Sequence, residues 1–448
     1  MLCKITSLSR KENNILYFDQ ALLYQRSQRS IMKHKISFTL LLVYTAIVIF
    51  SCKKSDPPVL PPNDQDTIIS LELGAPVETR PSVTNYDPAF VGQTRAGSLK
   101  TKTAYTAEVI NTALQSPWGI AALPNGKLLV TEKGGSMRTL SSFGELSGTI
   151  ANIPQVNSSG QGGLLGLCID PNFLNNRLVY WAFSETVVGG SVTSVAKGRL
   201  SEDESAMESV LIIYRSNTPY NGNLHYGARI VMDKTGHLLI CLGERSDAGI
   251  RMKAQDVSSS LGKVVRITID GAAAADNPAF SGAGALNELF TMGHRNPQGL
   301  AVHPISGDVW LGEFGPKAGD EINALKPGKN YGWPIITYGI EYNGQKVGAG
   351  IQQNENMEQP VYYWDPAISP SGMTFYKGNK VPEWQNNLFM GALGGTHIVR
   401  LHISNQAVMG EERLLTKENQ RFRDITQGVD GALYAITDAG RVYKIDKQ

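Results

Sequence analysis

An all-β fold, a six-bladed β-propeller over residues 103–448, is what the sequence predicts. Three observations carry it. From Thr103 onward, short runs of Val, Ile, Leu and Tyr alternate with Gly, Pro, Asn and Asp at close intervals, the pattern of strands and tight turns. No stretch keeps a helical apolar period long enough to predict a helix. One hairpin signature recurs six times along the chain.

The six copies start at Trp118, Gly163, Gly227, Gln298, Ser371 and Arg423. Each reads as an apolar strand, a turn rich in Asp, Pro, Gly or Asn, and a second apolar strand; GARIVMDKTGHLLICLGE from Gly227 is a clear case. The turn residues supply the backbone angles that a tight reversal needs. The starts lie about 45 to 75 residues apart, room for four strands and their loops in each interval. A single blade cannot bury both its faces, so the ring has to close. A pair of β-sandwiches is the competing architecture, but sandwiches rarely repeat one hairpin signature so often.

Ahead of the propeller, Lys33-His34-Lys35, the apolar run Ile36 to Phe50, and Ser51-Cys52 make a basic start, a short apolar stretch and a small residue at a cleavage point. This is the pattern of a signal peptide, and the run is short for a membrane span. Ile49-Phe50-Ser51-Cys52 resembles a bacterial lipobox, which implies a mature chain starting at Cys52 with lipid on it. An uncleaved anchor is the alternative. Residues 1–52 are therefore expected to be an upstream extension plus a lipoprotein signal peptide, with Met32 the natural start. Residues 53–102, polar and Pro-rich, are expected to be a flexible tether. The protein is expected to be exported and anchored to a membrane through Cys52, facing the periplasm or the outer membrane.

Composition excludes some partners. Charged residues are 18% of the 448 and the formal net charge is +2, with no Lys/Arg block in the body, so nucleic acid is not expected. Of the four cysteines, Cys3, Cys52, Cys168 and Cys241, none forms a CxxC or a Cys/His ligand spacing. Cys168 and Cys241 lie in apolar runs and read as small core side chains; a disulfide between them is the lesser alternative. No Walker loop, no strand-borne GxGxxG, no HExxH and no GxSxG is present.

Chemistry is densest from Leu289 to Pro334, which holds Arg295, Gly315-Pro316, Asp320-Glu321 and Tyr331-Gly332-Trp333. Part of it follows directly from a hairpin, which places it at one end of the ring. Gly and Pro present carbonyls on a turn and acids supply carboxylates, the donor types a hard cation such as Ca²⁺ takes. Solvated acids on a turn are the plainer reading. Elsewhere, His225 in NLHYGARI stands on a loop just before a hairpin strand. A lone His is commonly structural, but a near-neutral imidazole is also the natural base for a hydroxyl proton. Glu244, at the far end of the same hairpin, is placed to orient it. Arg421 and Arg423 share one face of an extended segment through their spacing of two, and together suit a polyanionic planar ligand.

At these residues a resemblance emerges. GQGGLLG, NLHYGARI, LGERSD, LGKVVRI, MGHRNPQGLA, GEFGPKAGDEIN, KNYGWP, SGMTFY, GALGGTHIVRL and QRFRDI, in this order, resemble the glucose/sorbosone dehydrogenase family, closest to its soluble-type aldose sugar dehydrogenases. The resemblance runs from about Ala113 to Ile445. It implies a propeller that holds pyrroloquinoline quinone (PQQ) and Ca²⁺ at its channel mouth. It also implies oxidation of an aldose at C1 to a lactone, with electrons passing to an external acceptor, a quinone or a cytochrome. His225 matches the family's general base, with Arg295 beside it and Glu244 as the orienting acid; the glucose-oxidising branch has Asp there. Gln161, Arg295, Asn296, Tyr342, Ala392, Leu393, Arg421 and Arg423 match cofactor contacts. The carbonyls of Gly315 and Pro316 match a Ca²⁺ site, and Glu321 and Tyr331 match a second one. Several relatives carry a lysine after the GAL motif where this chain has Gly394-Gly395. A non-catalytic propeller that binds a partner and a Ca²⁺-dependent lactonase-type hydrolase are the alternative functions, because fold does not decide function.

Overall fold

The computed structural model describes residues 72–448. Within them the chain forms six sheets around a ring, antiparallel except for one parallel pairing at the edge of the fifth. The innermost strands are Pro117–Ala122, Leu164–Ile169, Gly227–Met232, Pro297–Val302, Pro370–Phe375 and Phe422–Gln427, each the first strand of one of the six sequence hairpins. Each packs on the next and the last packs on the first, so the ring is closed. Four sheets have four strands, the first blade has three, and the fifth is widened to six. Among the described residues the only α-helix is the single turn Phe173–Asn176, in keeping with the missing helical period.

Closure uses both ends of the propeller sequence. Tyr105–Asn111 pairs antiparallel with Val442–Lys447, with Ala107 opposite Ile445 and Tyr105 opposite Lys447, to complete the sixth blade. The core follows from the same logic. Each of six apolar clusters joins two neighbouring blades: Leu129 and Met137 of the first with Trp181 of the second, for example, and Leu128 and Val130 of the first with Tyr434 and Val442 of the sixth. A blade is apolar on both faces, and each face is covered by the adjacent blade. Cys168 and Cys241 are both free thiols; Cys241 is buried, and burial pushes its thiol up to about 12.

The expected tether is corrected at its C-terminal end. Residues 72–102 are held on the propeller, where Gly74–Pro76 pairs with Gly97–Ser98 and Ser98 pairs in parallel with Glu411, adding two strands to the fifth blade. The contacts are mainly polar. Asp365 accepts the Val83 and Thr84 amides at 2.6 and 3.0 Å, Arg95 donates to the Glu78 and Asp365 carbonyls at 2.9 Å each, and Glu78 pairs with Arg413 at 3.0 Å. A segment latched by charges and main chain shows no apolar period, which is why the sequence reads as a tether there. The expected leader, Cys52 and the rest of the tether lie outside the described residues.

Candidate active site

The sheet register gathers the sequence motifs at one end of the ring. Pro117 pairs with Glu132, Gly227 with Leu242 and Pro297 with Glu313, so chain entering an innermost strand meets chain leaving the second strand. Gln161, His225, Arg295, Asn296 and Arg421 stand on the entering side. Glu132, Glu244, Glu313, Leu393 and Asp438 stand on the leaving side.

His225 is 5% exposed and sits in the left-handed region at φ 46°, an uncommon conformation for a side-chain-bearing residue. Three contacts hold it there. Its amide donates to Gln161 Oε1 at 2.9 Å, its Nδ1 lies 2.8 Å from Glu244 Oε1, and Glu244 Oε2 accepts the Ser246 amide at 2.8 Å. A carboxylate facing Nδ1 requires the proton on Nδ1 and leaves the Nε2 lone pair free. Nε2 has no hydrogen-bond partner among the described residues. Burial lowers the His225 pKa, the Arg295 charge adds to this, and the Glu244 hydrogen bond opposes it. The ring is therefore neutral at pH 7. Arg295 and Asn296 join the same network: the Glu244 amide donates to the Arg295 carbonyl at 2.9 Å, and Asn296 Oδ1 accepts the Gly227 amide at 3.2 Å.

Beside this network lies a cavity of about 300 Å³ whose walls include Trp118, Gln161, Phe314, Leu393, Arg421 and Arg423. The two arginines do share a face, because both bind one carboxylate. Asp438 accepts Arg421 Nε at 2.8 Å and Arg423 Nε at 2.8 Å. Arg423 also donates to Gln298 Oε1 at 2.9 Å, and Arg421 to the Leu393 carbonyl at 3.3 Å. Burial works against the Asp438 charge, but the two guanidiniums outweigh it and hold its pKa below the ordinary value.

Below Arg295 is a second cavity of about 10 Å³, the size of one water or ion, lined by Arg295, Glu313, Gly315, Glu321 and Tyr331. Phe314 borders both cavities; His225 lines neither. Asp320 and Glu321 point to opposite faces of their strand and do different work. Asp320 accepts the amides of Gly315, Ile368 and Ser369 at 2.8, 2.7 and 2.6 Å, so it anchors the Gly315 turn. Burial raises it to about 6. Glu321 stands directly opposite Glu313 in the ladder. Burial first, and the Glu313 charge second, push its carboxyl well above the usual range. The Gly315 carbonyl accepts Arg295 Nη1 at 2.8 Å. The Tyr331 hydroxyl donates to the Ala324 carbonyl at 2.8 Å, so it is not free to meet an ion. Among the described residues, no group of three or more His, Cys, Asp or Glu is arranged to hold a metal. A cation here would draw on main-chain carbonyls as well.

Four expected cofactor residues do not line the main cavity: Arg295 lines the small second cavity, Asn296 is buried in the His225 network, and Ala392 and Tyr342 lie elsewhere. Ala392 is fully buried in the core between the fourth and fifth blades, and only its neighbour Leu393 lines the cavity. Tyr342 is 70% exposed, in a separate depression beside the Arg251–Glu341 pair. Sequence reasoning missed Asp438 and Glu313. A signal was there: Glu132, Glu313 and Asp438 each fall where a hairpin's second strand ends, so aligning the repeats would have marked them.

Comparison with known proteins places the fold and the family. The family profile described as Glucose / Sorbosone dehydrogenase matches residues 114–444. Aldose sugar dehydrogenase YliI of Escherichia coli (strain K12) is 40% identical, over 75% of this chain and 92% of that protein. The crystal structure of the soluble aldose sugar dehydrogenase from Escherichia coli in its apo-form superposes with a TM-score of 0.73, at 38% identity, covering 77% of this chain and 100% of that one. The PQQ-bound form of aldose sugar dehydrogenase from Streptomyces coelicolor superposes with a TM-score of 0.62, at 28% identity, covering 78% and 99%. The chain belongs to the glucose/sorbosone dehydrogenase family.

Proposed function

We propose that this chain is a PQQ- and Ca²⁺-dependent aldose sugar dehydrogenase that oxidises the anomeric carbon of a sugar to a lactone and passes the electrons to an external quinone or cytochrome. The observation that carries the reading is the neutral His225 imidazole, locked by Glu244 with Nε2 free, beside a cavity walled by guanidiniums. Relatives named as aldose sugar dehydrogenases, one of them bound to PQQ, support it.

The residues present fit the cofactor. Arg295 Nε and Asn296 Nδ2 are buried donors with no partner, as expected where an acceptor-rich ligand belongs. Arg421 and Arg423 would hold carboxylates of PQQ, and Leu393 and Phe314 would flank its flat ring. When bound, PQQ supplies the hydride acceptor. The protein does the rest. His225 Nε2 takes the proton of the anomeric hydroxyl, and Glu244 steadies the imidazolium that forms. Arg295 aims its positive charge at the site where negative charge develops. The carbonyls of Gly315 and Pro316 would hold one Ca²⁺. Glu321, with the Tyr331 carbonyl, would hold a second, which relieves the repulsion from Glu313.

The test is reconstitution. Purified protein given PQQ and Ca²⁺ should reduce a dye acceptor when aldoses are added. Failure with every aldose, or hydrolysis of lactones without PQQ, would contradict the reading. The proposal extends to export with a lipid anchor on Cys52, supported by the lipobox-like Ile49 to Cys52. Cys52→Ser should move the protein out of the membrane fraction; unchanged fractionation would refute the anchor.

A further inference from the structure

We infer that Lys133 is a further cofactor-binding residue, whose ammonium meets a carboxylate of PQQ from the first blade. The inference rests on the cofactor reading above. Lys133 follows the strand Leu128–Glu132 and lines the 300 Å³ cavity together with Arg421, Arg423 and Asp438. It is half-buried, and its Nζ has no hydrogen-bond or ion-pair partner among the described residues.

The carboxylates nearest to it in sequence or along the cavity wall are already engaged. Glu132 accepts Arg138 Nε at 3.1 Å and the Gln115 amide at 2.6 Å. Asp438 is shared by both arginines. The pair of guanidiniums therefore carries one net positive charge once Asp438 is counted. Lys133 adds a cation that pairs with no carboxylate among the described residues. A ligand with three carboxylates needs more positive charge than the arginine pair alone supplies.

The local backbone is built to hold Lys133 in place. Its amide donates to the Ser116 carbonyl at 3.0 Å, and its carbonyl accepts the Leu164 amide at 3.2 Å, clamping it between the first and second blades. Gly163, at φ 142°, lies against its stem. A Cβ on Gly163 would come within 2.6 Å of Lys133 Cγ and 2.1 Å of its carbonyl oxygen. Only glycine leaves room for the lysine stem to pass along this wall.

The experiment is PQQ binding itself, measured by equilibrium dialysis with Ca²⁺ present and no sugar, at low and moderate salt. Lys133→Met should weaken PQQ binding about tenfold, the scale of one charged hydrogen bond, and flatten the salt dependence. Lys133→Arg should restore most of the affinity. Both variants should melt at the wild-type temperature, because Lys133 Nζ makes no hydrogen bond or ion pair among the described residues. Wild-type affinity and salt dependence in Lys133→Met would overturn the inference while leaving the cofactor reading intact. No PQQ binding by the wild type would overturn both.

Discussion

Glu244 and Glu321 sit on neighbouring blades at the same end of the ring, yet their surroundings are opposite. Glu244 is buried with two donors, His225 Nδ1 and the Ser246 amide. Glu321 is half-buried opposite Glu313, with one weak donor, Asn323 Nδ2 at 3.2 Å. The first carboxylate is satisfied by the protein and serves to set a tautomer. The second faces a like charge across the ladder, which is destabilising unless a cation lies between them. The difference separates a proton-handling half of the site from a cation-holding half, with Arg295 bonded into both.

The largest effect should come from the first half. His225→Ala removes the proton acceptor and should lower kcat by about 10²- to 10⁴-fold, while PQQ still binds. Steady-state kinetics with a dye acceptor, paired with a PQQ titration, measure both quantities. The second half is read through stability. Ca²⁺ at a hundred times its Kd should stabilise the wild type by about 2.7 kcal/mol, seen as a rise in Tm. Because the Glu321 pKa is raised, that gain should shrink as pH falls through the range where Glu321 takes up its proton. Glu321→Gln should reduce the Ca²⁺ response and make the Ca²⁺-free protein no less stable at pH 8, since the repulsion from Glu313 is gone.

Asp438→Asn tests the reverse case, cations without their carboxylate. It leaves Arg421 and Arg423 facing each other and should cost about 1 to 2 kcal/mol in chemical denaturation. The smallest effect is a shift in a profile. In the wild type, burial lowers the His225 pKa below its usual value near 6.5, so kcat/KM should hold through neutral pH and fall only below about 6.5. Glu244→Gln removes a group that raises this pKa. The acid limb should therefore move to still lower pH as the maximal rate drops. An acid limb that moves upward would break the assigned pairing.

The ring was legible in the sequence because its cause is local. Each hairpin carries its own turn residues and its own apolar strands, and all six become the innermost pairs of blades. His225 with Glu244, and Arg421 with Arg423, were legible for the same reason, since each pair is set by one hairpin or one strand. What escaped depends on contacts that local spacing does not encode. Asp438 meets the arginines only through the register of Phe422 with Thr437. The Glu313–Glu321 opposition depends on how the Gly315 turn folds back. The latch of residues 72–102 joins groups about 280 positions apart, such as Val83 and Asp365, through polar atoms that leave no apolar pattern. Tyr342 lies on the long connection between Leu325 and Tyr362, where spacing says nothing of direction.

The most direct test of the central claim is the structure of the chain loaded with PQQ, Ca²⁺ and an aldose. The account predicts the anomeric hydroxyl about 2.6 to 3.2 Å from His225 Nε2, with PQQ carboxylates on Arg421 and Arg423. A sugar seated with its anomeric carbon away from Nε2, or PQQ held elsewhere than at this arginine pair, would contradict it.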